Sequence, residues 1–109
     1  MAEKPFLSEI RDAAKLRVIF TAHSLDEMNA EDELITPEEV HAVISFGDLI
    51  EDYPQDVRGH SGLLSGRSPS GRPLHIVSAP GPEGLWVITV YIPSPDKWEA
   101  EFKTRRKKE

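Results

Sequence analysis

No cysteine occurs anywhere in the 109-residue chain. That excludes disulfides, thiolate metal sites and cysteine nucleophiles, and it suits a reducing compartment. Long apolar runs are missing too: the longest, around Leu85 to Ile92, is far too short to span a bilayer. The opening Met1-Ala2-Glu3-Lys4-Pro5 lacks the basic-then-apolar layout of an export signal. Together these absences predict a soluble, cytoplasmic protein without membrane association. The four histidines, at positions 23, 41, 60 and 75, show none of the close pairings that mark zinc sites. The Gly/Ser stretches, Ser61-Gly62 and Gly66 to Gly71, fall between predicted strands rather than ahead of a helix, which argues against a phosphate-cradling loop. No dinucleotide fingerprint is present, so neither a metal nor a cofactor is expected.

What is present is an uneven distribution of charge. The net charge of −6 conceals an acidic half, residues 1–56, with four Lys/Arg against fourteen Asp/Glu, and a basic half, residues 57–109, with nine against five. A polarised surface of this kind can present a basic face to RNA or pair with a charged protein. The plainer reading is a helical layer with a solvated acidic exterior.

The length allows one domain, residues 1–109, with one modest core. Apolar residues at Phe6, Ile10, Ala13, Ala14 and Leu16 trace one face of a first helix that starts near Pro5 or Ser8. The β-branched stretch Arg17 to Thr21 interrupts the pattern. A second helix, from Ala22, is expected to end near Glu31-Asp32-Glu33. Thr36-Pro37-Glu38-Glu39 reads as a capping box with proline at the first helical position, opening a third helix that buries Val40, Val43 and Ile44 and stops at Gly47. The helical layer thus occupies residues 6–46.

Over residues 48–92 the period shortens to 2. Strands are predicted at Asp48–Tyr53, Gly62–Arg67, Pro73–Ala79 and Leu85–Ile92, joined by short Pro/Gly turns as an antiparallel meander. Residues 93–109 predict a turn, one short helix and a basic tail, Lys103 to Lys108. Helices first and strands after specify an α+β fold, with the amino-terminal helices packed on a four-stranded antiparallel sheet.

The last two strands have contrasting faces. With their loop centred near Pro82, Leu74, Ile76, Trp86, Ile88 and Val90 share an apolar side, and His75, Thr89 and Tyr91 meet on the other. A turn centred near Ser70 adds Ser65 opposite His75, with Arg67 close by on the same face.

Several segments resemble, in order, a bacterial family of small domains of unknown function: Ala22-His23-Ser24-Leu25, Ile50-Glu51-Asp52-Tyr53-Pro54, Gly71-Arg72-Pro73-Leu74-His75-Ile76-Val77, Val87-Ile88-Thr89-Val90-Tyr91 with Pro93, and Trp98 ahead of Thr104-Arg105-Arg106. The likeness spans about residues 18–106. The layout is similar to the BrnT toxins and, through them, to the RelE-like ribonuclease fold. It implies metal-independent RNA cleavage by a toxin that an antitoxin, a protein partner, holds inactive. The family pattern has an arginine one residue before the methionine of its second helix, where this chain carries Glu27.

Cleaving RNA without metal needs a base, an acid and cations around the phosphorane. The candidate catalytic groups are His75, Tyr91 and, reaching in from the helical layer, His23. The candidate RNA contacts are Ser65, Arg67, Arg72, Arg105 and Arg106. Plainer roles stand beside these: His75 and Tyr91 as packing residues of a core strand, His23 as a helix-start residue, Trp98 as a staple for the carboxy-terminal segment, and Arg105 and Arg106 as a solvated tail. A rival reading of the whole chain is a non-catalytic protein-binding module of the same fold.

Overall fold

A computed structural model of the chain describes residues 5–107, so the final Lys108 of the expected basic tail lies outside the described residues. Three helices and five strands follow one another as α1 (Phe6–Leu16), β1 (Val18–Phe20), α2 (Ala22–Met28), α3 (Pro37–Phe46), β2 (Asp48–Tyr53), β3 (Ser61–Arg67), β4 (Pro73–Gly81) and β5 (Gly84–Tyr91). The fold is α+β. None of its helices is long and apolar enough to cross a membrane among the described residues.

Local chemistry explains the helix boundaries. The Thr36 hydroxyl accepts from the Glu39 N–H at 3.2 Å and the Glu39 carboxylate accepts from the Thr36 N–H at 3.1 Å, so α3 opens on the capping box its sequence specifies. It ends at Gly47, where a Cβ would lie 2.6 Å from the Val43 carbonyl oxygen and 2.8 Å from that of Ser65. Only a residue without a side chain lets α3 and β3 approach this closely. In contrast, α2 stops at Met28, short of the acidic residues expected to end it. Residues 31–33 form turns instead, Leu34 takes a left-handed φ of 46°, and the Ile35 N–H bonds back to the Met28 carbonyl at 2.8 Å. That reversal buries both Met28 and Ile35.

The sheet order is β1-β5-β4-β3-β2. Strands β2 to β5 form the expected antiparallel meander. A fifth strand, β1, corrects the four-stranded expectation: Val18, Ile19 and Phe20 pair in parallel with Leu85, Trp86 and Val87. Three residues give too little alternation to signal a strand. Beyond β1, the margin of β5 is closed by α2 and its cap. The Thr21 N–H and hydroxyl donate to the Val87 and Ile88 carbonyls at 3.1 and 3.2 Å, and the Glu27 carboxylate accepts the Val90 N–H at 2.9 Å.

One face of the sheet packs under the helices. Ile10, Val40 and Val43 meet Leu64, Leu74, Ile76, Leu85, Val87 and Val90 there. Each fully buried aliphatic side chain contributes about 1.5–3 kcal/mol. A β-bulge corrects the expected composition of this face: pairing passes from Val77–Thr89 to Ser78–Val87, which leaves Ile88 as an extra residue. The slip brings Leu85 and Val87 into the core and puts Trp86 across from Ala79. Trp86, Ala79 and Ile88 instead line a shallow hollow with Thr21 and Arg58.

The opposite face of the sheet is covered in part by residues 94–106. The short carboxy-terminal helix expected there does not form. Its place is taken by turns closed by a Trp98–Arg105 bridge, with the Glu99 N–H donating to the Thr104 carbonyl at 2.8 Å and the Arg106 N–H to the Lys97 carbonyl at 2.9 Å. A helix here would withdraw the carbonyl of Phe102 that the sheet uses, as described next.

Candidate functional site

Register places Ser65 on β3, His75 on β4 and Tyr91 on β5 side by side across three neighbouring strands, since Ser65 pairs with His75 and His75 with Tyr91. The sequence expectation for these three is met in position. It is not met in accessibility: His75 has 0% of its surface exposed and Ser65 4%.

Both imidazole nitrogens of His75 are occupied. Nε2 lies 2.6 Å from the Phe102 carbonyl oxygen and Nδ1 lies 3.0 Å from the Tyr91 hydroxyl. A carbonyl only accepts, so Nε2 carries the proton, and Nδ1 accepts from the Tyr91 O–H. The Ser65 hydroxyl donates to the same Phe102 oxygen at 3.2 Å. Thus two donors converge on one backbone oxygen. The Trp98 ring closes the site, edge-on to His75 with centroids 4.4 Å apart, and is itself only 2% exposed.

The Trp98 ring also carries a cation. The Arg105 guanidinium lies 4.6 Å from the Trp98 centroid and grips Glu51 with two hydrogen bonds of 2.7 and 2.9 Å. Tyr53 donates to the same carboxylate. Lys103 pairs with Asp48 at 2.7 Å. Phe102, whose carbonyl reaches His75, sits between these anchors with a left-handed φ of 61°, a conformation that costs a non-glycine residue about 1 kcal/mol. A hollow of about 320 Å³ opens beside the segment, lined by Tyr91, Ser94, Lys97, Trp98 and Arg105. A second, of about 260 Å³, is lined by Ser65, Arg67, Glu101 and Lys103.

Burial sets the protonation of the pair. Desolvation pushes the His75 imidazole below its usual 6.5, partly opposed by its bond to the Phe102 carbonyl, and desolvation likewise raises the Tyr91 phenol. The Arg105 contact holds the Glu51 carboxyl below its usual value, and burial lifts Tyr53 to about 12.

A pH dependence follows. The unfolded chain binds a proton at His75 near pH 6.5, whereas the folded chain resists it to lower pH. The stability tied to His75 is therefore complete above 6.5 and falls as the pH drops through that value toward the lower folded one. Glu39 acts in a separate window: hydrogen bonds from Arg72 hold it at about 2, so its contribution is lost only as the pH falls from 4.5 toward 2. Urea midpoints measured between about pH 7.5 and 5 should fall for the native chain, and His75→Phe should flatten that fall.

The remaining candidates lie apart from the cluster. Arg72 does not join it: its guanidinium donates to Glu39 at 2.7 Å and to the Glu33 and Leu34 carbonyls at 2.6 and 3.0 Å, fastening the turn before α3 to β4. His23 stands on α2 with Nε2 3.3 Å from Glu27. Arg67 points along the same face as Ser65 but donates to the Gly71 carbonyl at 2.9 Å. Arg106 holds the Pro95 carbonyl at 2.6 Å and Glu99 at 3.2 Å. Glu27, standing where the resembled family has arginine, accepts the Val90 N–H, a bond that a guanidinium with only donors cannot make.

Glu51, Lys97, Lys103 and the Phe102 carbonyl are the parts that residue types did not single out. The first three read as ordinary surface charges, and a backbone oxygen has no side-chain signature. Among the described residues, no three His, Asp or Glu side chains are grouped to hold a metal ion.

The profile of a family described as a domain of unknown function, DUF4258, matches residues 20–92, which run from the end of β1 to just past β5 and contain Ser65, His75 and Tyr91. No curated protein and no solved structure matches the chain. With two thirds of its length matched by that profile, the chain belongs to the DUF4258 family.

Proposed function

We propose that this chain is a metal-independent ribonuclease of the RelE/BrnT-like toxin type, acting on RNA in the cytoplasm and restrained by an antitoxin or another protein partner. The observation that supports the reading is the His75–Tyr91 pair: a neutral imidazole hydrogen-bonded to a protonated phenol, beside a hollow that carries Lys97 and Arg105. The pair has the two proton states that phosphodiester cleavage needs.

In this mechanism the RNA 2′-oxygen attacks phosphorus and gives its proton to the Tyr91 oxygen as Tyr91 passes its own proton to His75 Nδ1. The bond from phosphorus to the 5′-oxygen breaks, and His75 Nε2 gives its proton to that leaving oxygen. The products are a 2′,3′-cyclic phosphate and a 5′-hydroxyl, Tyr91 again carries a proton, and the imidazole has exchanged tautomers. Lys97 and Arg105 offset the charge on the phosphorane.

Induced expression should arrest growth and degrade RNA, and both His75→Ala and Tyr91→Phe should lower cleavage by about a hundredfold or more. Equal harmlessness of the native chain and both variants would sink the nuclease. The second reading, a binding module without catalysis, draws its support from the sealed imidazole: with both nitrogens engaged and no exposed surface, His75 touches no substrate in this conformation.

A further inference from the structure

We propose that residues 94–106 are a releasable clasp whose Phe102 carbonyl fills the oxygen-binding position of the site, and that RNA phosphates open it by drawing Lys103 and Arg105 away from Asp48 and Glu51. The identity of the polyanion rests on the ribonuclease reading; the clasp rests on geometry.

Three observations carry it. First, His75 Nε2 and Ser65 Oγ both donate to the Phe102 oxygen, at 2.6 and 3.2 Å. Two side chains from adjacent strands aimed at one oxygen form a receptor for an oxygen atom, and Nε2 is the nitrogen that would give its proton to the leaving 5′-oxygen. The clasp's own backbone thus stands where a nucleotide oxygen would enter.

Second, the fastenings are of a kind that phosphate displaces. Lys103–Asp48 and Arg105–Glu51 are ion pairs whose cations are about half exposed, at 48% and 60%. Such pairs are weak and sensitive to salt, and arginine binds phosphate with the same two-pronged geometry it uses on Glu51. Lys97 and Arg106 belong to the same segment, so a strand of phosphates meets several cations on one stretch of chain.

Third, the segment is held under strain and without regular structure. Phe102 is left-handed, and no helix or named strand includes residues 94–106. What opposes release is mainly Trp98, buried against His75. Once lifted, that ring offers a face on which a base stacks, which offsets part of the lost burial.

The test is amide hydrogen exchange across residues 97–106, in particular at the Glu99 and Arg106 N–H groups that close the clasp. A short single-stranded RNA bearing 2′-O-methyl groups serves as the probe, since it binds without being cleaved. It should speed exchange of this segment about fivefold while leaving the β3 and β4 amides unchanged. Glu51→Gln without RNA should have the same effect, as should about 1 M sodium chloride on the native chain, where charges are screened beyond about 3 Å. Exchange that is unchanged or slower in all three arms overturns the clasp, whether or not ordinary RNA is cut. Faster exchange with no cleavage of ordinary RNA by the native chain or by Glu51→Gln keeps the clasp and removes the nuclease.

Discussion

Replacing Trp98 with alanine is expected to lower the unfolding free energy by about 2–3 kcal/mol, read from urea denaturation. The ring is 2% exposed, packs edge-on to His75, and carries the Arg105 guanidinium. Truncation removes both contacts together with the burial. Buried tryptophan-to-alanine changes cost about 3–5 kcal/mol when the site stays closed. Here the loss is capped by the free energy of lifting residues 94–106, because the chain opens that segment rather than keep a cavity beside His75. Trp98→Phe, which retains a ring edge against the imidazole, should recover more than half of the difference. A full loss of about 5 kcal/mol would show instead that the segment unfolds only together with the sheet.

The second large effect is expected at Gly84, where alanine should cost about 3 kcal/mol or more. This residue ends the two-residue turn of the β4–β5 hairpin with φ +145°, a region that L side chains rarely adopt. A Cβ there would stand 2.5 Å from the Arg17 carbonyl oxygen, the same oxygen that accepts the Leu85 N–H at 2.8 Å. Strain and a backbone clash coincide, and neither group can swing aside without parting β1 from β5. Gly71 is the control: its φ of +93° is equally foreign to alanine, but nothing lies within 4 Å of the added carbon. Gly71→Ala should therefore cost only about 1 kcal/mol, the conformational part alone. Equal losses at the two glycines would mean that the contact with Arg17 contributes nothing.

Much of the scaffold was legible because its signals are local. Thr36-Pro37-Glu38-Glu39 places a helix start to the residue, and the Pro/Gly turns between strands pin the register that aligns Ser65, His75 and Tyr91. Where a decision depended on distant partners, residue patterns fell short. The bulge at Ile88 moved Trp86 off the core face, since one inserted residue reverses every assignment beyond it. β1 owes its pairing to the neighbouring β5, and its own three residues carry no period. Arg72 looked like a phosphate ligand beside His75, but its partners Glu33, Leu34 and Glu39 lie more than thirty positions earlier in the chain. The closure of the site was hidden for another reason: its decisive atom is the carbonyl oxygen of Phe102, placed by a reversal of the chain that no side chain announces.

The borrowed ladder partner on β5 bears on how this protein behaves in a crowded solution. An unpaired N–H at Val90 would invite another chain to add a strand, and the Glu27 carboxylate occupies it. The border strand β2 breaks its spacing between Leu49 and Glu51, and its carboxylates Asp48 and Glu51 are held by Lys103 and Arg105. Irregular and charged, it is a poor template for a further strand. Sheet extension is thus disfavoured at β2 and along the stretch of β5 that lies beyond β1.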